Sequence, residues 1–142
     1  MRLTEHTLGQ IIDDIWRLHI DAEKIIITGS VALCAYGLKQ EFNDVDIIVI
    51  NPTKGSWSDL LSNYSQGSKD YDSVKVKCKD YHIDVLRDDL TNEHPIVSLF
   101  GDDTIYLSTL DCIIKAKRKL NRDKDRKDFE DMLLRLKSMV VY

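Results

Sequence analysis

Apolar residues Leu8, Ile11, Ile12, Ile15 and Trp16 recur at helical spacing between Thr4 and His19, with Asp13, Asp14 and Arg17 on the other side. That period predicts an amphipathic helix. Lys24 to Thr28 is a short β-branched run that stops at Gly29 and Ser30, after which Ser30 to Tyr36 reads as a small-residue helix ending at Gly37. The expected order is strand, tight turn, helix. Asp44 to Ile50 is apolar on both faces after its two carboxylates, the mark of a central strand, and it ends at Asn51 and Pro52. Trp57 to Tyr64 can form a short helix. Val74, Val76 and Cys78 alternate with Lys75, Lys77 and Lys79, predicting a half-exposed strand. Lys79 and Asp80 can turn the chain, and Tyr81 to Leu86 returns with Ile83 and Val85 on one face and His82, Asp84 and Leu86 on the other.

Residues 91 to 107 are poorly patterned and read as loop with short extended pieces. Ser108 to Asp111 gives a capping-box-like start to a helix running to about Leu120. A last helix carries Phe129, Met132, Leu133 and Leu136 as its apolar stripe. Together these elements predict an α/β (α+β) fold, a small mixed sheet backed by helices, as one domain over residues 1–142. Its core spans about 22–90 and its C-terminal helical segment about 108–138.

The chain has 142 residues, 43% of them hydrophobic and 31% charged, with two prolines and six glycines. That composition excludes disorder and collagen-like repeats and fits a single globular core. A net charge of −4 argues against coating nucleic acid by bulk charge. The charge is uneven, because Lys115, Lys117, Arg118, Lys119, Arg122, Lys124, Arg126 and Lys127 stand against only Asp123 and Asp125, a local net of +6. Such a segment is either a solvated helix face or the seat of an anionic ligand. Cys34, Cys78 and Cys112 are odd in number and lack CxxC or zinc-like spacing, so they read as small buried hydrophobes. The N-terminus lacks a signal-peptide h-region and no apolar run reaches membrane length, so a cytoplasmic location without membrane contact is expected.

Asp44 and Asp46, two apart on one strand, should point to the same face. If the hairpin strand carrying Asp84 lies alongside, three carboxylates converge. Such a cluster suits two Mg²⁺ or Mn²⁺ ions about 3.5–4 Å apart, because hard oxygen ligands favour these cations and cations offset the repulsion between like charges. Upstream, Gly29 and Ser30 lie between a strand and a helix, where backbone N–H groups can hold a phosphate.

The run Ile27, Thr28, Gly29, Ser30 with Asn43, Asp44, Val45, Asp46, Ile47 resembles the signature of the polymerase-beta-type nucleotidyltransferase superfamily. That signature is a hydrophobic residue and Gly-Gly or Gly-Ser, followed by Asp-hydrophobic-Asp or Glu. Asp84 between Ile83 and Val85 matches its third carboxylate. The tail from Leu107 through Lys115 to Asp131 is similar to that of small stand-alone members, including antitoxin-like minimal nucleotidyltransferases and those that modify antibiotics. The resemblance implies that Asp44, Asp46 and Asp84 hold two metal ions and that Asp84 also serves as base. It further implies that Gly29 and Ser30 bind the triphosphate of an NTP, with Lys39, Lys115 and Lys127 as further phosphate contacts.

Asn43 departs from the usual small residue before the first Asp. No separate acceptor domain follows the core, so the acceptor is expected in a cleft shared with the C-terminal helices, on a second copy of the chain, or on a partner such as a toxin. The basic segment favours RNA or a partner protein over a small antibiotic as acceptor. No aromatic residues interleave with its lysines to make a stacking platform. A binding module that keeps the fold without the chemistry is the alternative from another class.

Overall fold

In a computed structural model, residues 1–66, 72–88, 96–98 and 105–140 are described. Helix α1 (Glu5–Trp16) is followed by β1 (Lys24–Thr28), α2 (Gly29–Ala35), β2 (Val45–Ile50) and α3 (Lys54–Asn63). Strands β3 (Ser65–Gln66), β4 (Ser73–Lys77), β5 (His82–Asp88), β6 (Ile96–Ser98) and β7 (Ile105–Ser108) come next, and α4 (Leu110–Leu120) and α5 (Asp123–Val140) close the order. The strands form one mixed sheet in the order β3-β4-β5-β2-β1-β7-β6. Pairing is parallel for β2 with β5 and for β1 with β7, and antiparallel elsewhere.

Period-2 alternation sets the layers. Val45, Ile47 and Val49 of β2 are fully buried, as are Ile25 and Ile27 of β1 and Ile83 and Val85 of β5. They pack with Ile11 and Ile15 of α1, Val31 and Leu33 of α2, and Trp57 and Leu60 of α3. The opposite face of the same strands carries Asp46, Ile48, Asp84 and Leu86, each only partly buried. The alternation that builds the core therefore sends the two carboxylates to the other side of the sheet.

Helix ends follow their local chemistry. Thr4 caps α1 in a capping box completed by Thr7, Thr53 caps α3, and Thr109 caps α4 by accepting from the Cys112 N–H. The α4 cap is thus one residue later than the sequence suggested, because Ser108 is the buried end of β7. α3 starts ahead of Trp57, at the residues just after Pro52.

Within the stretch expected to be loop with short extended pieces lies β7, whose Ile105 and Leu107 are buried beside β1. Trp16 and Leu133, both assigned to apolar stripes, are instead exposed at 45% and 56%, while Met132 is buried. The side chains of Phe129 and Leu136 lie outside the described residues. The three cysteines are free and half-buried, so no disulfide joins them. No helix among the described residues is long and apolar enough to cross a membrane.

At the far side of the core, buried Tyr81 stands edge-on to Phe42 and donates its hydroxyl to the Asp14 carboxylate, tying the β4–β5 hairpin to α1. Replacing Tyr81 by Phe should lower stability by about 1 kcal/mol, the cost of losing the hydroxyl donor while Arg17 still holds the other Asp14 oxygen at 3.3 Å. Denaturant unfolding checks this, and an unchanged midpoint would show that the contact contributes nothing.

Candidate active site

The site begins where β1 runs into α2. Thr28 pairs with Asp46 across the β1–β2 ladder, so the next residue, Gly29, turns directly beside the Asp46 side chain. Gly29 has φ +63°, the left-handed region that glycine enters without Cβ strain. A Cβ here would also collide with Oδ2 of Asp46 and stand 3.2 Å from its Cγ. Two independent requirements therefore select glycine. Ser30 follows in the first turn of α2 and is buried.

On the next strand, Asp84 occupies the position paired with Asp46 in the parallel β2–β5 ladder, so the two carboxylates share a face. Lys75 of β4 stands across from Asp84 on the other side. Burial pushes the Asp46 carboxyl from 3.8 up to about 6, the nearby Asp84 and Asp44 charges push the same way, and Lys124 at the start of α5 opposes them. A hydrogen bond to Asp84 adds to the upward shift of Asp46.

Asp44 behaves differently. The expected strand from Asp44 starts instead at Val45, and Asp44 sits in the loop before it, half-exposed, with Oδ1 3.8 Å from Nδ1 of His82. Its charge reaches Asp46, but its side chain faces the imidazole. Among the described residues, no three Asp, Glu, His or Cys side chains are arranged as a ready metal site. The structure brings together Asp46, Asp84 and Gly29, and leaves Asp44 at the margin.

Lys39, on the loop between α2 and β2, donates to the Ser30 hydroxyl at 3.3 Å and to Oδ1 of Asp128 on α5 at 3.2 Å. The second oxygen of Asp128 accepts from Lys117 of α4 at 2.8 Å, and Lys117 stands 3.6 Å from Asp125. Arg122 grips Asp125 with two guanidinium bonds and with its own backbone N–H. Hydrogen bonds and charge from Arg122 hold Asp125 below its ordinary value. Burial alone would raise Asp128, but Lys117 and Lys39 outweigh it and the net shift is downward. Lys115 and Lys127 are exposed and make no hydrogen bond or ion pair among the described residues.

The chain resembles a crystal structure described as a "putative nucleotidyltransferase" from Thermotoga maritima, with a TM-score of 0.59 over 94% of this chain and 97% of that one, at 15% identity. The two share a nucleotidyltransferase fold. No family model and no curated protein matches the sequence.

Within that fold, the residues that sequence reasoning missed are Lys117, Asp125, Asp128 and Lys124. Their signal was a face rather than a motif. Ile113 and Lys117 are four apart on α4, and Asp125, Asp128 and Met132 are three and four apart on α5, so each charge lies on the stripe that also carries a buried apolar residue. A charged residue on an apolar stripe is a candidate for a buried ion pair.

Two predictions follow from the geometry around Asp46. Gly29→Ala should cost about 2–4 kcal/mol through the disfavoured φ and the overlap with Asp46, and Asp46→Ala should relieve part of that cost in a double-mutant cycle. Strict additivity of the two variants would disprove the contact. In metal-free protein, the folded state binds the Asp46 proton more tightly than the unfolded chain does. Stability should therefore fall by about 3 kcal/mol as pH rises from about 4 to about 6, and Asp46→Asn should abolish that fall and stabilise the protein at pH 7. Denaturant midpoints across this range check it, and parallel profiles for wild type and variant would refute it.

Proposed function

We propose that the chain is a metal-dependent nucleotidyltransferase that moves a nucleoside monophosphate from an NTP to an acceptor hydroxyl. The observation that carries this reading is the adjacency of Asp46 and Asp84, in register on neighbouring strands, to the left-handed Gly29 turn that opens α2. The donor set fits divalent cations, since it offers only oxygens and Asp46 is held in a state of uncompensated negative charge that a cation would relieve. Bound there, with Asp44 turned in from His82 as a further ligand, Mg²⁺ or Mn²⁺ would neutralise phosphate charge during in-line displacement.

The chain's own groups would do the rest. Backbone N–H groups at Gly29 and Ser30 would hold phosphate oxygens, and the Lys39 ammonium beside Ser30 would add charge. Asp84 would take the proton from the acceptor hydroxyl as its oxygen forms a bond to the α-phosphorus. The bond from that phosphorus to the bridging oxygen breaks, and pyrophosphate leaves. Holding both partners in line supplies much of the rate gain.

RNA or a partner protein is the favoured acceptor. Lys115, Arg118 and Lys119 are exposed on α4 with no ion-pair partner among the described residues, and they fit an anionic surface better than a neutral small molecule. A second reading, a nucleotidyltransferase-fold module that binds a partner such as a toxin without chemistry, draws on Asp44 facing His82 rather than Asp46.

Transfer of label from each of four α-³²P-NTPs into RNA and protein, with Mg²⁺ or Mn²⁺, separates the two. The enzyme reading expects labelling that drops at least about a hundredfold in Asp46→Asn and in Asp84→Asn. Lack of label with every acceptor, RNA, protein and small hydroxylated compounds alike, would overturn it and favour the binding module.

A further inference from the structure

Lys39 has a long flexible stem, and a lysine on a loop ordinarily spends its rotamer freedom in solvent. Here its ammonium is fixed at both ends of a short bridge, to the Ser30 hydroxyl at 3.3 Å and to Asp128 at 3.2 Å. Asp128 is in turn held from several sides. Its side chain is only 8% exposed, its other oxygen is taken by Lys117 at 2.8 Å, and Lys117 is itself 10% exposed and braced by Asp125. Asp125, 1% exposed, is anchored by Arg122.

The chain of contacts thus runs from the connection between α4 and α5 to the hydroxyl beside the Gly29 turn. Three cations and two carboxylates take part, so the cluster as a whole carries a net charge of +1. Two acceptors use two of the three N–H bonds of Lys39, which leaves one donor for a ligand oxygen.

From this geometry we infer that Asp128 is a positioning residue for nucleotide: it holds the Lys39 ammonium at the phosphate-binding turn, making α4 and α5 part of the triphosphate site. The inference rests on the nucleotide reading proposed above and deepens it. An exposed surface pair would give little orientation, because water and salt screen it. This pair is sheltered, and its carboxylate is already matched by Lys117, so Asp128 does not itself set an unmatched charge against a polyanion entering at Ser30. The ordering of the lysine stem is completed before the ligand arrives, which is how preorganisation raises affinity.

The test is calorimetric binding of inorganic triphosphate with Mg²⁺, and of adenosine and ATP with Mg²⁺, to the full chain. Lys39→Met should weaken triphosphate and ATP binding by about tenfold or more and leave adenosine unchanged, as loss of one charge-assisted hydrogen bond to phosphate would do. Asp128→Asn should do the same although its side chain touches no ligand. The double variant should be no weaker than Lys39→Met alone.

Because Asp128→Asn could loosen α5, its melting curve is recorded first. If it does not fold, Lys117→Met, which removes the brace and leaves the Lys39–Asp128 pair, takes its place and should weaken triphosphate binding by a smaller factor. Triphosphate affinity unchanged in Lys39→Met, or fully additive losses in the double variant, would overturn the inference while the nucleotide reading stands. Wild type that binds neither triphosphate nor ATP would sink the nucleotide reading itself, and the positioning role with it.

Discussion

The closest constraint in the molecule is the packing of the Gly29 backbone against the Asp46 carboxylate. The β1–β2 register places Thr28 beside Asp46, and the chain must then leave the sheet and start α2 within one residue. Only a residue without a Cβ can turn there with positive φ while a carboxylate occupies the space where the side chain would be. Everything at the candidate site follows from that fit. The Gly29 turn and the carboxylate pair are neighbours because one glycine is small enough to let them be, and the burial that raises Asp46 is partly the burial imposed by this turn.

The second organising feature is ionic. The sheet and α1 to α3 share an apolar core to which α4 and α5 add Ile113 and Met132, and α4 and α5 are further fastened to the site side through Lys39, Asp128, Lys117, Asp125 and Arg122. Buried ion pairs are weak contributors to net stability, since desolvation offsets most of their attraction, but they are specific in geometry and costly to break singly. Such a device suits an element whose placement relative to a site matters more than its contribution to the total. It also divides the basic segment. Lys117 and Arg122 are spent on buried carboxylates and Arg126 on exposed Asp123, while Lys115, Arg118, Lys119, Lys124 and Lys127 stand at the surface.

The strand, turn and helix from Lys24 to Tyr36 were legible because β-branched residues, a glycine and a small-residue run each favour the same local conformation. The carboxylate pair was legible because a period-2 pattern with polar residues on one face survives folding. β7 was legible only as one of the short extended pieces expected between 91 and 107, without bounds, since the place of Ile105 to Ser108 in the sheet comes from pairing with β1 rather than from its own pattern. Asp44 was placed on the strand because alternation alone cannot say where a ladder begins. The inward turn of Lys117 was not legible for a related reason. Lys115 and Lys127 sit in the same basic run as Lys117, and only the packing of α4 on the core decides which of them turns inward. Trp16 and Leu133 show the same limit from the apolar side: periodicity finds a stripe, but the width of the neighbouring layer decides how much of it is covered.

The most direct test of the account is a ¹³C-carboxyl titration of Asp46 by NMR, first in metal-free protein and then with millimolar Mg²⁺ and a non-hydrolysable NTP analogue. The account predicts a midpoint near 6 in the first sample and a clear fall toward or below the ordinary carboxylate range in the second, as a cation takes over the charge that Asp84 and burial oppose. A midpoint near 4 in metal-free protein, or one that Mg²⁺ and nucleotide leave in place, would contradict it.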